Sequence, residues 1–272
     1  MEVHPPYLLG NGDDENGSGV SVTYDIDTAV IEMVVVGRWT KRLALDIYTA
    51  LCKCLAEHPS AIIVNLHHLD DPSADSAAMW LAASTAAGGL QPPVQIALSL
   101  PANQPLSHRL RWAGVTPTVP MFTTTKQART AAAHSGPLTE RVQLTRLRPD
   151  AGSANAARGL IDVACEAWGF ADLRHPSRLV ISELVANAVE HAGTDMVVTV
   201  WRRRSGLHLT VHDGDARLPR MWPPTRTDEA RAPSGDHGLH IVDTLSAAWG
   251  ALSTTEGKLV WATMRSCRRP WP

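Results

Sequence analysis

The order of apolar segments changes near residue 135, and this change most constrains how the chain can fold. Before it, short apolar segments typical of strands alternate with segments that have the spacing of amphipathic helices. That alternation is typical of an α/β domain. After it, helices come early and strands are grouped later, which favours a two-layer α/β sandwich with a mixed sheet. The sequence therefore predicts two domains of the α/β class.

The domain boundaries are predicted from composition. Residues 1–19 are rich in Pro, Gly and acidic residues, which predicts a flexible tail. The first domain is expected over residues 20–135 and the second over 141–266. Residues 136–140 (GPLTE) are the expected linker, and 267–272 form a second tail.

Helix and strand signals in the second domain are regular. Gly169 and Gly193 are expected to end two of its helices. In the first domain, Thr40 is expected to cap a helix that extends to about residue 57. The pattern in the second domain predicts helices over 153–168, 175–191 and 238–249, and strands over 141–147, 196–203, 207–213 and 258–265.

Composition excludes several classes of protein. The chain has 25 basic and 27 acidic residues, a net charge of −2, which argues against direct binding of nucleic acid. No apolar run approaches the roughly 18 residues of a membrane helix, and no secretory signal is visible. Four cysteines are too few for a disulfide scaffold, so a cytoplasmic location is expected. Cys52 and Cys54 are expected to be free thiols, because residues two apart on a helix do not face each other.

The helix predicted over 175–191 carries a polar pair. Glu183 and Asn187 are four residues apart, so their side chains lie on one side of the helix, beside its apolar stripe. An amide oxygen can bind a hard cation, and a carboxylate can accept a proton. The pair suits a magnesium-nucleotide site, and a solvated helix edge is the alternative that this helix alone leaves open.

Two later segments favour the nucleotide site. Asp213 and Gly214 end a strand, where the carboxylate can accept a hydrogen bond from a ligand amino group. Gly235 and Gly238 flank the start of a predicted helix, where the backbone can approach a phosphate closely. Each segment alone is also compatible with an ordinary turn, but the three elements in this order predict a nucleotide site.

Residues 141–266 resemble the GHKL ATPase superfamily, most closely its branch of bacterial anti-sigma-factor serine kinases. ELVANAVEH is similar to the N box of the family, VHDG to its adenine-binding segment and GDHGLHIV to its phosphate-binding segment. GKLVWATM is similar to the usual end of this branch. The resemblance implies the Bergerat-type fold, which is a two-layer α/β sandwich, and binding of ATP with Mg²⁺.

The resemblance also implies roles for individual residues. Glu183 would be the catalytic general base, Asn187 the magnesium ligand, and Asp213 the acceptor for the adenine amino group. The full implied set of ATP-binding residues is Asn187, Asp213, Gly214, Gly235, His237, Gly238 and Leu239.

The sequence departs from the family in the adenine-binding segment. The family usually has D-x-G-x-G, but Asp215 and Arg217 replace the two later glycines here. Asp215 places a negative charge near the expected polyphosphate, so we expect it to weaken nucleotide binding. A lid is expected over 216–234, with four arginines as candidate phosphate contacts, namely Arg217, Arg220, Arg226 and Arg231.

Residues 20–133 resemble a STAS domain, the fold of anti-sigma-factor antagonists. Such antagonists carry Asp-Ser at the start of a helix after the third strand, and that serine is phosphorylated by the anti-sigma kinase. Asp75 and Ser76 match this motif if the preceding loop has about two extra residues. Ser76 is therefore the candidate phospho-acceptor. Without the gap the acceptor position falls on Ala74, and Ser76 then belongs to an N-terminal capping turn.

Together the resemblances imply an anti-sigma-factor-type serine/threonine protein kinase fused to an antagonist-like STAS domain. It would act in bacterial partner-switching control of transcription. The expected partners are a sigma factor or a STAS-domain antagonist, and the chain is a candidate homodimer. The alternative is a non-catalytic regulator that binds such a partner through a degenerate GHKL domain. In a third interpretation, the STAS half occupies the kinase half of the same chain.

Overall fold

The computed structural model describes residues 6–9, 18–25, 28–90, 93–113, 119–135, 140–203, 205–219 and 236–266. The chain divides into two compact units. Unit 1 comprises Leu9–Leu138 together with Met1, and unit 2 comprises Glu2–Leu8 and Thr139–Pro272. The division after Leu138 falls inside the expected linker, 136–140.

The described residues form eleven strands and seven α-helices. The strands are β1 Tyr7–Leu9, β2 Gly19–Asp25, β3 Val30–Arg38, β4 Ala61–Asp70, β5 Gln95–Ser99, β6 Met121–Phe122, β7 Arg141–Leu147, β8 Met196–Arg203, β9 Gly206–Asp213, β10 Ala248–Ser253 and β11 Lys258–Arg265. The helices are α1 Lys41–Glu57, α2 Ala77–Gly88, α3 Pro105–Trp112, α4 Thr125–Ser135, α5 Ser153–Trp168, α6 Arg174–Asn187 and α7 Asp236–Leu245. Within the described residues, no helix is long and apolar enough to span a membrane.

Unit 1 is a five-stranded mixed sheet with helices between its strands. The strand order is β2-β3-β4-β5-β6, in which only β2 and β3 are antiparallel. Ile62 and Ile63 on β4 are both fully buried, so both faces of this strand are covered, as is usual for parallel strands that alternate with helices. Thr40 caps α1 as predicted, because its hydroxyl accepts the Leu43 N–H at 3.2 Å.

Unit 2 is a two-layer sandwich of helices on a six-stranded sheet. The strand order is β1-β10-β11-β9-β8-β7, and the pairs from β10 to β7 are antiparallel. One apolar core joins α5, α6 and α7 to the sheet, with Ile161, Leu184 and Val242 from the helices and Val211 from the sheet among its buried members. Gly169 and Gly193 end helical segments with φ of +75° and +61°, the left-handed conformation that glycine adopts without strain. The α/β fold class predicted for this half is confirmed.

Part of the expected N-terminal tail is a strand. Of residues 1–19 the structure describes 6–9 and 18–19, and Tyr7–Leu9 forms β1 beside β10 in unit 2. The Tyr7 ring stacks on Trp261, with ring centroids 6.0 Å apart. Gly250 permits this close approach, since a Cβ there would lie 2.3 Å from the Tyr7 carbonyl oxygen. The expectation of a flexible tail is therefore wrong for β1.

The last helix is shorter than predicted. We expected a helix over 238–249, but α7 ends at Leu245 and β10 begins at Ala248. Trp249 and Ala251 both lie in the helix-facing core, as alternate residues of a strand do. Burial of Trp249 against α7, where its Nε1 donates to Asp243 Oδ1 at 2.8 Å, outweighs the helical spacing of the sequence.

Candidate nucleotide site

Helix α6 carries the two residues of the predicted polar pair. Its Ile181, Leu184 and Val185 are buried in the unit 2 core, which fixes the helix against the sheet. Glu183 and Asn187 are only half-buried, so the same helix presents them at the edge of that core. After Asn187 the helix widens into a π-helical turn, Ala188–Ala192, a distortion often found at functional sites.

Glu183 lies directly against the first turn of α7. A Cβ on Gly238 would lie 2.5 Å from Glu183 Oε2, so a side chain at 238 would displace this carboxylate. The segments predicted to be the N box and the phosphate-binding segment therefore meet at Glu183 and Gly238. The free N–H groups of a helix start attract negative charge, so α7 supplies an anion-binding feature beside the carboxylate.

Asp213 ends β9 with a buried carboxylate, of which one oxygen is hydrogen-bonded and the other has no partner among the described residues. Oδ1 accepts the Lys258 ammonium at 2.9 Å and the Asp215 N–H at 2.9 Å. Oδ2 is buried, and no described group forms a hydrogen bond to it. A buried carboxylate oxygen without a partner is costly, so this atom is an acceptor ready for a ligand donor.

Gly214 and Gly257 allow the backbone around Asp213 to pack closely. The Gly214 N–H donates to Thr194 Oγ1 at 2.9 Å. Gly257 has φ of +156°, and a Cβ there would lie 2.0 Å from the Asp213 carbonyl oxygen. The end of β9, the segment after α6 and the start of β11 are thus held together by small residues and one hydroxyl.

The charge of Asp215 is compensated within the site. Arg217 Nε donates to both carboxylate oxygens, at 3.1 and 3.0 Å, and this hydrogen bonding holds the pKa of Asp215 below its ordinary value. Arg217 Nη2 also donates to the His191 carbonyl oxygen at 3.4 Å. From the sequence we expected Asp215 to place an isolated charge near a polyphosphate. In the structure the Arg217 guanidinium lies against this carboxylate.

The remaining expected site residues are located only in part. Leu239 is buried in the unit 2 core, where it positions α7. The backbone of His237 belongs to α7, and its side chain lies outside what the structure describes. Gly235 also lies outside the described residues, as do Arg220, Arg226, Arg231 and most of the expected lid.

Lys258 is the site residue that the sequence analysis missed. It pairs with Asp213 in a buried ion pair, since only 2% of Lys258 and 1% of Asp213 is exposed. Its signal in the sequence is a lysine at the start of an otherwise apolar strand, LVWATM. Such a lysine is usually read as a solvated strand end, so the signal alone does not distinguish the two environments.

Ser76 is not presented as an acceptor in unit 1. It is fully buried at the N-cap of α2, where its hydroxyl donates to Asp71 Oδ2 at 2.6 Å and accepts Trp80 Nε1 at 3.1 Å. Asp71 also accepts the backbone N–H groups of Asp75 and Ser76. The structure therefore argues against Ser76 as a phospho-acceptor and gives its hydroxyl a structural role in the turn before α2.

Cys52, Cys54 and Cys165 are free thiols in the described part of the chain. Cys52 and Cys54 form no disulfide, and burial raises the pKa of the Cys54 thiol well above its ordinary value. Among the described residues, no group of three His, Cys, Asp or Glu side chains is placed to hold a metal ion. At the candidate site, the amide oxygen of Asn187 is a group that could hold a cation.

Part of the chain is similar to known proteins. Residues 147–264 match the family model described as histidine kinase-like ATPase domain, which confirms the resemblance of the second half to GHKL ATPases over those residues. A crystal structure of an anti-sigma factor antagonist from Mycobacterium paratuberculosis is similar at 17% identity, with a TM-score of 0.37, and covers 44% of this chain and 98% of that one. No curated protein matches the chain.

Proposed function

We propose that unit 2 binds ATP and that the chain is an anti-sigma-factor-type serine/threonine protein kinase. The observation that carries the proposal is the contact between Glu183 and the Gly238 turn, which joins a candidate base to a helix start suited to phosphate. The buried Asp213 Oδ2 adds an acceptor for an amino group of the base. The family match over 147–264 supports the same class of ligand.

The residues fit magnesium-ATP in three parts. Asp213 would accept the adenine amino group, and the α7 N-terminus at Gly238 would face the phosphates. Asn187 would hold Mg²⁺ through its amide oxygen, and the ion would neutralise charge on the phosphate oxygens. Arg217 is mostly exposed and lies at the start of the expected lid, so it would be a further cation near the phosphates.

In the proposed reaction Glu183 acts on the acceptor hydroxyl. Its carboxylate takes the hydroxyl proton while the hydroxyl oxygen bonds to the γ-phosphorus and the bond from that phosphorus to the β–γ bridging oxygen breaks. The products are a phosphoserine or phosphothreonine and ADP. Such a transfer depends mainly on positioning and charge neutralisation, so the placement of Glu183 beside the phosphate-binding turn is its main requirement.

The proposed acceptor is a serine or threonine on a separate protein, because the Ser76 hydroxyl is buried and bonded to Asp71. By the resemblance, a STAS-domain antagonist is the proposed acceptor and a sigma factor is the second partner, in a partner-switching circuit. Unit 1 would then act as a docking or sensing domain, and formation of a homodimer belongs to the same proposal.

A second candidate function is that of a non-catalytic regulator. It is favoured by Arg217, which pairs with Asp215 and the His191 carbonyl where the family usually has a glycine. This bridge ties the adenine-binding segment to the end of the N box helix. A site held in this way could serve as a docking surface for a sigma factor or STAS partner without ATP.

The two candidates are separated by Glu183→Gln in the full chain. We expect the variant to bind magnesium-ATP with nearly unchanged affinity by calorimetry, because the amide keeps the size of the carboxylate. Transfer of labelled γ-phosphate to an added STAS-domain antagonist should fall by at least about 100-fold, the usual scale for loss of a general base.

Glu190→Gln is the matched control, since Glu190 is exposed on the adjoining π-helical turn. It should transfer phosphate like the unchanged protein. Equal transfer by Glu183→Gln would refute the base assignment. A folded, unchanged chain that binds partners but no ATP would establish the non-catalytic regulator instead.

A further inference from the structure

We infer that Lys258 is a positioning residue that holds the Asp213 carboxylate oriented for a base with an exocyclic amino group. This inference rests on the proposed binding of a nucleotide to unit 2. It concerns selection among bases, through a residue that does not itself contact the ligand.

The sheet register fixes the pair. Lys258 is the first residue of β11 and lies directly opposite Asp213, the last residue of β9, in the antiparallel pairing. Opposed residues in such a pair have neighbouring side chains. Gly257 lets the preceding turn pack on the Asp213 carbonyl, so the lysine backbone cannot move away without disturbing that contact.

The ammonium of Lys258 is buried and donates its hydrogen bonds to groups inside the site. Its Nζ donates to Asp213 Oδ1 at 2.9 Å and to the Asp215 carbonyl oxygen at 3.2 Å, and it lies 3.9 Å from Asp215 Oδ2. An ionised carboxylate buried as deeply as Asp213 needs a partner charge of this kind. Lys258 therefore occupies Oδ1 and fixes the orientation of the Asp213 carboxylate.

The two carboxylate oxygens of Asp213 have different partners, and this difference favours a base that carries an amino group. Oδ1 is occupied by Lys258 and the Asp215 N–H, whereas Oδ2 is buried and has no described partner. An amino group on the base would donate a hydrogen bond to Oδ2. A base without that amino group would leave Oδ2 unpaired. A site that requires a hydrogen bond rejects the analogue that cannot make it. The geometry thus favours 6-aminopurine over the same purine without its amino group.

The test compares ATP with purine riboside triphosphate, which lacks only the 6-amino group. We expect the unchanged full chain to bind ATP at least about tenfold more tightly, the scale of one hydrogen bond to a charged acceptor. Lys258→Met should weaken ATP binding and bring the ratio of the two dissociation constants to within about threefold. Lys258→Arg retains the charge and should restore most of the ratio.

A merely structural role predicts another pattern. If Lys258→Met leaves the ratio of the two dissociation constants unchanged, the inference is overturned. Nucleotide binding by the unchanged chain then still stands. If the unchanged chain binds neither nucleotide, the proposed function itself fails.

A measurement on the unchanged chain covers the case in which Lys258→Met does not fold. The ammonium of a buried lysine can be followed by ¹H–¹⁵N spectroscopy. Its signal should shift when ATP binds and stay in place with purine riboside triphosphate. Equal shifts with both nucleotides would overturn the inference.

Discussion

Burial of one hydroxyl favours a structural role for Ser76 over the predicted acceptor role. A phospho-acceptor must meet a kinase, whereas this hydroxyl lies between the Asp71 carboxylate and the Trp80 indole in the interior of unit 1. The sequence predicted Ser76 at a helix start, and the structure has it at the N-cap of α2. The hydrogen-bond partners of its hydroxyl are Asp71 and Trp80, which lie before and after it in the chain. Because side-chain burial depends on the fold of the whole turn, an Asp-Ser pair alone could not reveal it.

Ser76→Ala is expected to lower the free energy of unfolding of unit 1 by about 1–3 kcal/mol, because Trp80 Nε1 and Asp71 Oδ2 each lose a buried partner. Denaturation in urea measures the change. Ser73→Ala is the control, since Ser73 is exposed in the same turn and its truncation should change stability by less than about 0.5 kcal/mol. A Ser76→Ala variant of unchanged stability that no longer becomes labelled with phosphate would restore the acceptor role.

Elements with a regular period were predicted well, and elements that depend on distant partners were not. Helix α6 follows from its apolar spacing, and the end of the π-helical turn that continues it follows from Gly193, because both signals are local. Strand β1 has three residues, too few for an alternating pattern, and it exists because β10 pairs with it. The first two residues of strand β10 were predicted to be helical, because the burial of Trp249 that stabilises the strand involves α7 and the sheet.

Removal of the β1 ring contact should destabilise unit 2. Tyr7→Ala removes the stacking on Trp261, and such pairs contribute about 0.5–1.5 kcal/mol beyond their buried area. Denaturation followed by tryptophan fluorescence measures this loss. Tyr48→Ala, at a tyrosine that is 47% exposed on α1, should have a smaller effect. An equal effect of both substitutions would mean that β1 does not stabilise the sheet.

The whole chain contains two units with separate cores, so ligand binding should stabilise one of them selectively. Magnesium-ATP at about 100 times its dissociation constant should add about 2.7 kcal/mol to the stability of unit 2 and nothing to unit 1. Calorimetric scans of the full chain should therefore show a shift in one of two transitions. Ser76→Ala and Tyr7→Ala identify the transitions of units 1 and 2, respectively.

Asn187→Ala provides the control for this shift. Loss of the amide oxygen should abolish most of the stabilisation by magnesium-ATP without moving either transition in the absence of nucleotide by more than a few degrees. A shift of both transitions, or a shift that persists in Asn187→Ala, would contradict the assignment of the ligand to unit 2.

The position of β1 has a consequence for biosynthesis. Tyr7–Leu9 leaves the ribosome before unit 1, yet the strand that pairs with it, Ala248–Ser253, is translated only after unit 1 is complete. At about 5–20 residues per second, the nascent segment waits for tens of seconds. During translation its exposed tyrosine and leucines are available to chaperones. Unit 2 can close its sheet edge only once both ends of its discontinuous sequence have emerged.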